Sequence, residues 1–397
     1  MLNIEESFTG KYAFLQLGFR PFFSAAFGFA TFGILAWMLI YFSVWSLPAE
    51  NYNVVSWHAH EMVFGYTLAV VAGFLLTAIK NWTGVQTING KPLLVLFLFW
   101  LTARILPFII PQTLLYLVVI FDLSFNLLLV IAASHPILKA RQWQNIAFPV
   151  ICLFLLISNS IFYLGLMDIW VQGIHYGIYA GFYILLALIF IMGRRVIPFF
   201  IEKGVDEPFK AKNWPWLDVS SLLLLVMFII ADLIDPMGMP SLLLAAALFI
   251  LHSIRLFGWY SHGIWSKTLL WILYIGYAWI VFGFLLKVIS ISHGLSVFLA
   301  IHSFAYGGIG MITIGMMARV ALGHTGRNVF DPPAILKIAF LAMLTGAIVR
   351  VIFPLLNASY YTLWVGIAQA LWILAFGTLF IVYLPMLIKS RVDGRPG

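Results

Sequence analysis

Polar residues in this chain come in short clusters separated by long apolar runs. Each run is about twenty residues, the length a helix needs to cross the hydrocarbon core of a bilayer. Twelve such spans read at 22–45, 57–79, 92–111, 113–133, 145–166, 173–193, 216–234, 238–257, 268–288, 294–317, 333–353 and 361–388. None shows the period-two alternation of a barrel strand, and a helix satisfies its own backbone in lipid. The pattern therefore predicts an all-α, polytopic bundle of about 12 transmembrane helices, forming a single membrane domain over 1–397. The first six spans fall within 1–193, a connection follows at 194–215, and the last six occupy 216–397.

Composition agrees: 63% of residues are hydrophobic and 9% charged, against about 25% charged in a soluble domain. The mean hydropathy is +1.04. Met1 to Lys11 carries Glu5 and Glu6 and lacks an apolar core, so no cleavable signal is expected there. The single cysteine, Cys152, lies in an apolar run. It excludes internal disulfides, iron–sulfur clusters and haem attached through Cys-x-x-Cys-His.

A net charge of +8 raises the question of nucleic acid, but topology explains it better. Numbering the spans alternately places nineteen of the 22 Lys and Arg on one side, from Lys11 and Arg20 through Arg194 and Arg195 to Arg395. Only Arg104, Lys287 and Arg350 fall on the other. Cytoplasmic loops carry such an excess, so both termini are expected in the cytoplasm, with the lipid bilayer and no nucleic acid as partner. Internal repeats are absent at a convincing level; "GFLLTAI" at 73–79 and "GFLLKVI" at 283–289 are strings that recur by chance in apolar sequence.

With topology assigned, the nine histidines sort by depth. His58, His60, His175, His293 and His302 gather toward the outer face; His135, His252, His262 and His324 lie toward the cytoplasm. Neutral imidazole suits copper and haem iron, so His58, His60, His175 and His302 are the candidate metal ligands. His293, at the surface, is expected to be solvated. His302 sits about eight residues, or about 12 Å, below the surface. With His58 at zero and 100° per residue, Glu61, Met62, Gly65, Ala69, Ala72 and Gly73 fall within about 60° of it. His60 lies about 200° away, so both histidines reach one site only if the helix begins irregularly. His302, Tyr306, Thr313 and Met316 share a face about 80° wide.

Other polar groups in the spans have two readings. Glu61 is either a partner that orients an imidazole or a proton carrier. Asp122, beside Asn126, is a proton relay or a bridge between helices. Arg104 and Arg350 either snorkel to the surface or bind carboxylates such as haem propionates through paired N–H bonds. A second, cytoplasmic site for an anion or lipid phosphate has candidates in His252 and Arg255 of "HSIR", in Arg194 and Arg195, and in Arg319, His324 and Arg327 of "RVALGHTGR".

Several stretches resemble the NnrS family of bacterial inner-membrane proteins: "LGFRPFF" at 17–23, "WHAHEMVFGY" at 57–66, "GFLLTAIKNWTG" at 73–84, "GRRVIPFF" at 193–200 and "MMARVALGHTGR" at 316–327. They occur in order over most of the chain. The resemblance implies a multi-pass inner-membrane protein with haem, of the non-covalent b type, and copper, acting on nitric oxide or nitrosyl species in protection against nitrosative stress. It does not settle a reaction, and redox turnover would need an electron donor that the sequence does not identify. The competing expectation is a proton-coupled secondary transporter, since twelve spans with a central cytoplasmic loop are a common carrier layout and Asp122, Glu61 and His302 could relay protons.

Overall fold

Residues 13–47 and 53–395 are described in the computed structural model; Met1–Lys11 lies outside them. The described chain forms 12 helices long and apolar enough to cross a membrane: α1 (Phe19–Tyr41), α2 (Val54–Thr83), α3 (Gly90–Phe108), α4 (Gln112–Lys139), α5 (Trp143–Leu166), α6 (Gly173–Gly204), α7 (Pro215–Ile234), α8 (Met239–Gly258), α9 (Thr268–His293), α10 (Val297–His324), α11 (Ile335–Leu356) and α12 (Ala358–Ile388). Each matches one predicted span. Twelve crossings return the chain to the face on which it began, called here the terminal face.

Two helices outrun their apolar stretches. α6 continues to Gly204, so Arg194, Arg195 and Pro198 lie in helix and not in the central connection. Ile197, Pro198, Ile201 and Gly204 keep one buried face, and Arg194 is held by Asp218 of α7 at 2.8 Å. α10 likewise carries "RVALGH" to its end at His324. Conversely, α10 starts at Val297, which leaves His302 nearer the surface than a span from 294 implies.

Burial orders the helices. The apolar window of α2 is 89% buried and that of α7 only 28%, so α2 is central and α7 peripheral. α9 and α10 share the centre with α2, and Tyr66 of α2 bonds Thr313 of α10 at 2.6 Å. Peripheral helices turn large apolar side chains outward, among them Ile120, Leu223, Ile250 and Ile381. In lipid those side chains have nothing to escape, so close packing holds helices together. Gly173, Gly177 and Gly181 line α6 at every fourth position. A Cβ at Gly177 would stand 2.4 Å from the Phe162 backbone nitrogen of α5, and one at Gly181 would stand 2.5 Å from the Phe64 ring of α2.

Two of the central helices, α2 and α10, change pitch at a similar distance from their starts. α2 runs as α-helix to His60 and then as π-helix over Glu61–Thr67. α10 runs as α-helix to His302 and then as π-helix over Ser303–Gly310. Such wide turns free carbonyls from the usual ladder and are frequent at functional sites. Here the freed groups are met: Trp100 of α3 donates to Gly65 O at 3.0 Å, and Thr67 Oγ1 to Met62 O at 2.7 Å.

Candidate functional site

The polar side chains of the half away from the terminal face fall into three clusters. The first surrounds the start of the π segment of α2 and is wholly enclosed: His60, Glu61, Arg104, Asp122 and Asn159 are each at most 2% exposed. Arg104 Nη1 donates to Glu61 Oε2 at 2.7 Å, and Nη2 to Asp122 Oδ1. Asp122 Oδ2 also accepts from Asn159 Nδ2 at 2.8 Å and from the Tyr163 hydroxyl at 2.9 Å. The His60 ring stacks on Phe162 at 4.3 Å. Its Nδ1 faces Glu61 Oε1 at 3.2 Å and its Nε2 faces Asn159 Oδ1 at 2.9 Å. Four helices thus converge on ionic groups that would be very costly to bury singly. Gly65 makes room: a Cβ there would stand 2.7 Å from Glu61 Oε2 and 3.0 Å from Arg104 Nη1.

The second cluster joins α1, α2, α10, α11 and α12. The His58 ring lies flat on Trp37, with centroids 4.6 Å apart, and its buried Nδ1 has no hydrogen-bond partner. His302 Nδ1 donates to Phe298 O at 2.7 Å. That bond leaves the lone pair on Nε2, which accepts from Arg350 Nη2 at 3.1 Å. Arg350 also reaches the Tyr361 hydroxyl at 3.1 Å, while its buried Nη1 is unpartnered. His58, His302 and Arg350 lie within electrostatic range of one another.

The third cluster was not anticipated. Lys287 of α9 pairs with Asp232 of α7 at 2.5 Å, and the Tyr183 hydroxyl of α6 donates to Asp232. A charged residue of each sign inside an apolar run was the available signal. Above it, His175 is exposed at the start of α6, with its ring 4.6 Å from Tyr179.

The four candidate histidines therefore separate. Only His58 and His302 share a cluster; His60, about 200° from His58 on the regular helix that runs to His60, turns its ring toward α5. Among the described residues, no three His, Cys, Asp or Glu side chains are arranged to hold a metal ion together. Glu61 pairs with His60 and Arg104, although an ideal helix puts it on the His58 face. Arg104 is consumed by two carboxylates and is not a propionate donor in this arrangement, whereas Arg350 keeps a free N–H. Tyr306 donates to Ala368 O at 2.9 Å, tying α10 to α12. His293 is exposed, as expected.

A profile described as NnrS protein matches residues 13–391, which includes all twelve helices and the three clusters. The chain belongs to the NnrS family. Membership links it to nitric-oxide-related function in general. A comparison with curated proteins finds no match.

The candidate residues near the terminal face do not assemble into one anion site. His252 is buried, its Nδ1 2.6 Å from the Tyr277 hydroxyl and its ring stacked on Phe190. Arg255 pairs with Asp218 at 3.0 Å. Arg319 stands over the Phe200 ring at 4.0 Å. His324 packs on Phe19, and Arg327 lies in range of Arg20. The "LGFRPFF" motif has a structural use: Arg20 Nη1 donates to Leu387 O and Lys389 O, capping the end of α12.

Proposed function

We propose that this protein is a haem- and copper-binding component of the bacterial inner membrane that handles nitric oxide or nitrosyl species and protects against nitrosative stress. The observation that carries the reading is the second cluster. There His58 and Arg350 each keep a buried polar atom without a partner, beside a His302 ring whose tautomer is set by a backbone carbonyl. A ring nitrogen oriented in this way is a common feature of metal-ligating histidines. The donor set fits haem: His302 Nε2 and His58 would hold iron or copper, and Arg350 would hold a carboxylate through its planar fork. Haem iron, when bound, supplies a coordination site for nitric oxide, which is small, neutral and lipid-soluble and needs no polar channel. Around that site Trp37 fixes the plane of His58, and Phe298 O fixes the rotation of His302.

The test is the absorption spectrum and metal content of the purified full chain. His302→Ala and His58→Ala are expected to lose the Soret band or the bound copper, whereas His293→Ala keeps both. Equal retention in all three variants would overturn the assignment. The pairs Lys287–Asp232 and Arg104–Glu61 favour a second reading, a proton-coupled secondary transporter, for which the purified protein shows no Soret band.

A further inference from the structure

A cleft of about 250 Å³ opens at the terminal face, between the end of α6, the start of α9, the end of α10 and the connection leading into α11. Its wall carries three cations, Lys267, Arg319 and Lys337, against one carboxylate, Asp331. Lys267 holds the exposed Asp206 at 2.8 Å, a surface pair that is readily exchanged. The other two cations are uncommitted. Lys337 is exposed, and half-buried Arg319 touches only the Phe200 ring. Among the described residues no oxygen accepts from the five N–H donors of Arg319. The first turn of α9 adds further unmet donors. It has no capping side chain; Lys267 O takes the N–H groups of Leu270 and Trp271, and those of Thr268 and Leu269 have no acceptor among the described residues. Thr268 itself lines the cleft and is only 8% exposed. Its hydroxyl is also without a partner among the described residues, although side-chain polar groups at that burial are normally paired.

We propose that this cleft binds a phosphate group, carried either by an anionic phospholipid headgroup or by a free phosphate. Unmet N–H groups at a helix start favour an anion through both hydrogen bonding and the helix dipole. The planar fork of Arg319 matches phosphate oxygens in pairs, and Lys337 adds a point charge. The size agrees: 250 Å³ is about eight water volumes, room for a phosphate and a small ester and below the range of about 300–1,000 Å³ that drug-sized ligands occupy. Of the arginines and histidines that the sequence offers for a cytoplasmic anion, only Arg319 lines the cleft. Its partners are two lysines and the start of α9, brought together by packing. The cleft lies on the opposite face from His58 and His302, so it is independent of the haem reading.

The experiment uses the delipidated full chain in an uncharged detergent. Inorganic phosphate is titrated by calorimetry, with chloride holding the ionic strength constant. Phosphatidylglycerol is added in native mass spectrometry, with zwitterionic phosphatidylcholine as the control. Saturable binding of phosphate alone identifies a free-anion site, and binding of phosphatidylglycerol alone, in preference to phosphatidylcholine, identifies a headgroup site. In either case Arg319→Gln is expected to weaken binding about tenfold or more, the loss of a charge-assisted donor, and Lys337→Gln to weaken it less. Lys337 is exposed, so its variant carries the test if Arg319→Gln does not fold. The proposal is overturned if neither probe binds saturably, if phosphatidylcholine binds as well as phosphatidylglycerol and phosphate does not bind, or if every variant that folds binds as the wild type does.

Discussion

A guanidinium that bridges two buried carboxylates has no fork left for a ligand, and this separates two arginines that look alike in sequence. Arg104 joins Glu61 to Asp122. Breaking a buried pair by removing one partner costs about 3–5 kcal/mol. Arg104→Leu is therefore expected to lower stability by that order in detergent unfolding, with Arg104→Lys between it and the wild type. Arg350, whose Nη1 is uncommitted, behaves otherwise: under the proposed haem reading, Arg350→Lys leaves the unfolding transition in place but weakens haem retention or shifts the haem potential. Unchanged stability in Arg104→Leu would show that the ionic cluster is not needed for the fold. Gly65 tests the same cluster sterically. Its absent Cβ leaves room for Glu61, Phe29 and Arg104, and Gly65→Ala should cost about 1–3 kcal/mol through overpacking, read from the same transition.

At the scale of helices, what was legible was periodicity and what was not was pitch. The twelve spans follow from apolar length alone. The assumption of a uniform 100° per residue failed in α2 and α10, where π segments begin at Glu61 and Ser303. Five-residue hydrogen bonding rotates everything downstream, so His58 and Glu61 part company and Tyr306 turns to α12. No residue type announces such a turn; in α2 it persists because Trp100 and Thr67 donate to the freed carbonyls. The glycine row of α6 was readable in principle, since small residues at every fourth position mark close helix contacts. Gly177→Leu would drive a side chain into the α5 backbone. It is expected to reduce the yield of folded, detergent-stable protein severely in size-exclusion profiles, and a normal profile would mean that α5 and α6 can separate without consequence.

For the whole molecule, twelve crossings among the described residues put both ends of the described chain on one face, and the lysine and arginine distribution predicts that this face is cytoplasmic. Cys152 is buried, so single added cysteines report orientation against a quiet background. A cysteine at Ser390 should resist a membrane-impermeant thiol reagent in intact cells, while one at Ser46 reacts. The reverse labelling would invert the protein and place the His58–His302 cluster on the cytoplasmic side.

The sequence by itself determined the number, order and approximate limits of the helices, the family, and which ionisable residues lie at membrane depth. These are one-dimensional properties: apolar run length, loop charge and local motif. Only the tertiary structure decided the partners. Arg104 could face lipid, ligand or protein until α2, α3 and α4 met around it, and Glu61 left the His58 face only where a wider turn began. A charge buried in a low-dielectric interior is stable only beside specific opposite groups, and those come from helices distant in the chain, as Lys287 and Asp232 do. Their pairing depends on packing in three dimensions, which no single segment encodes.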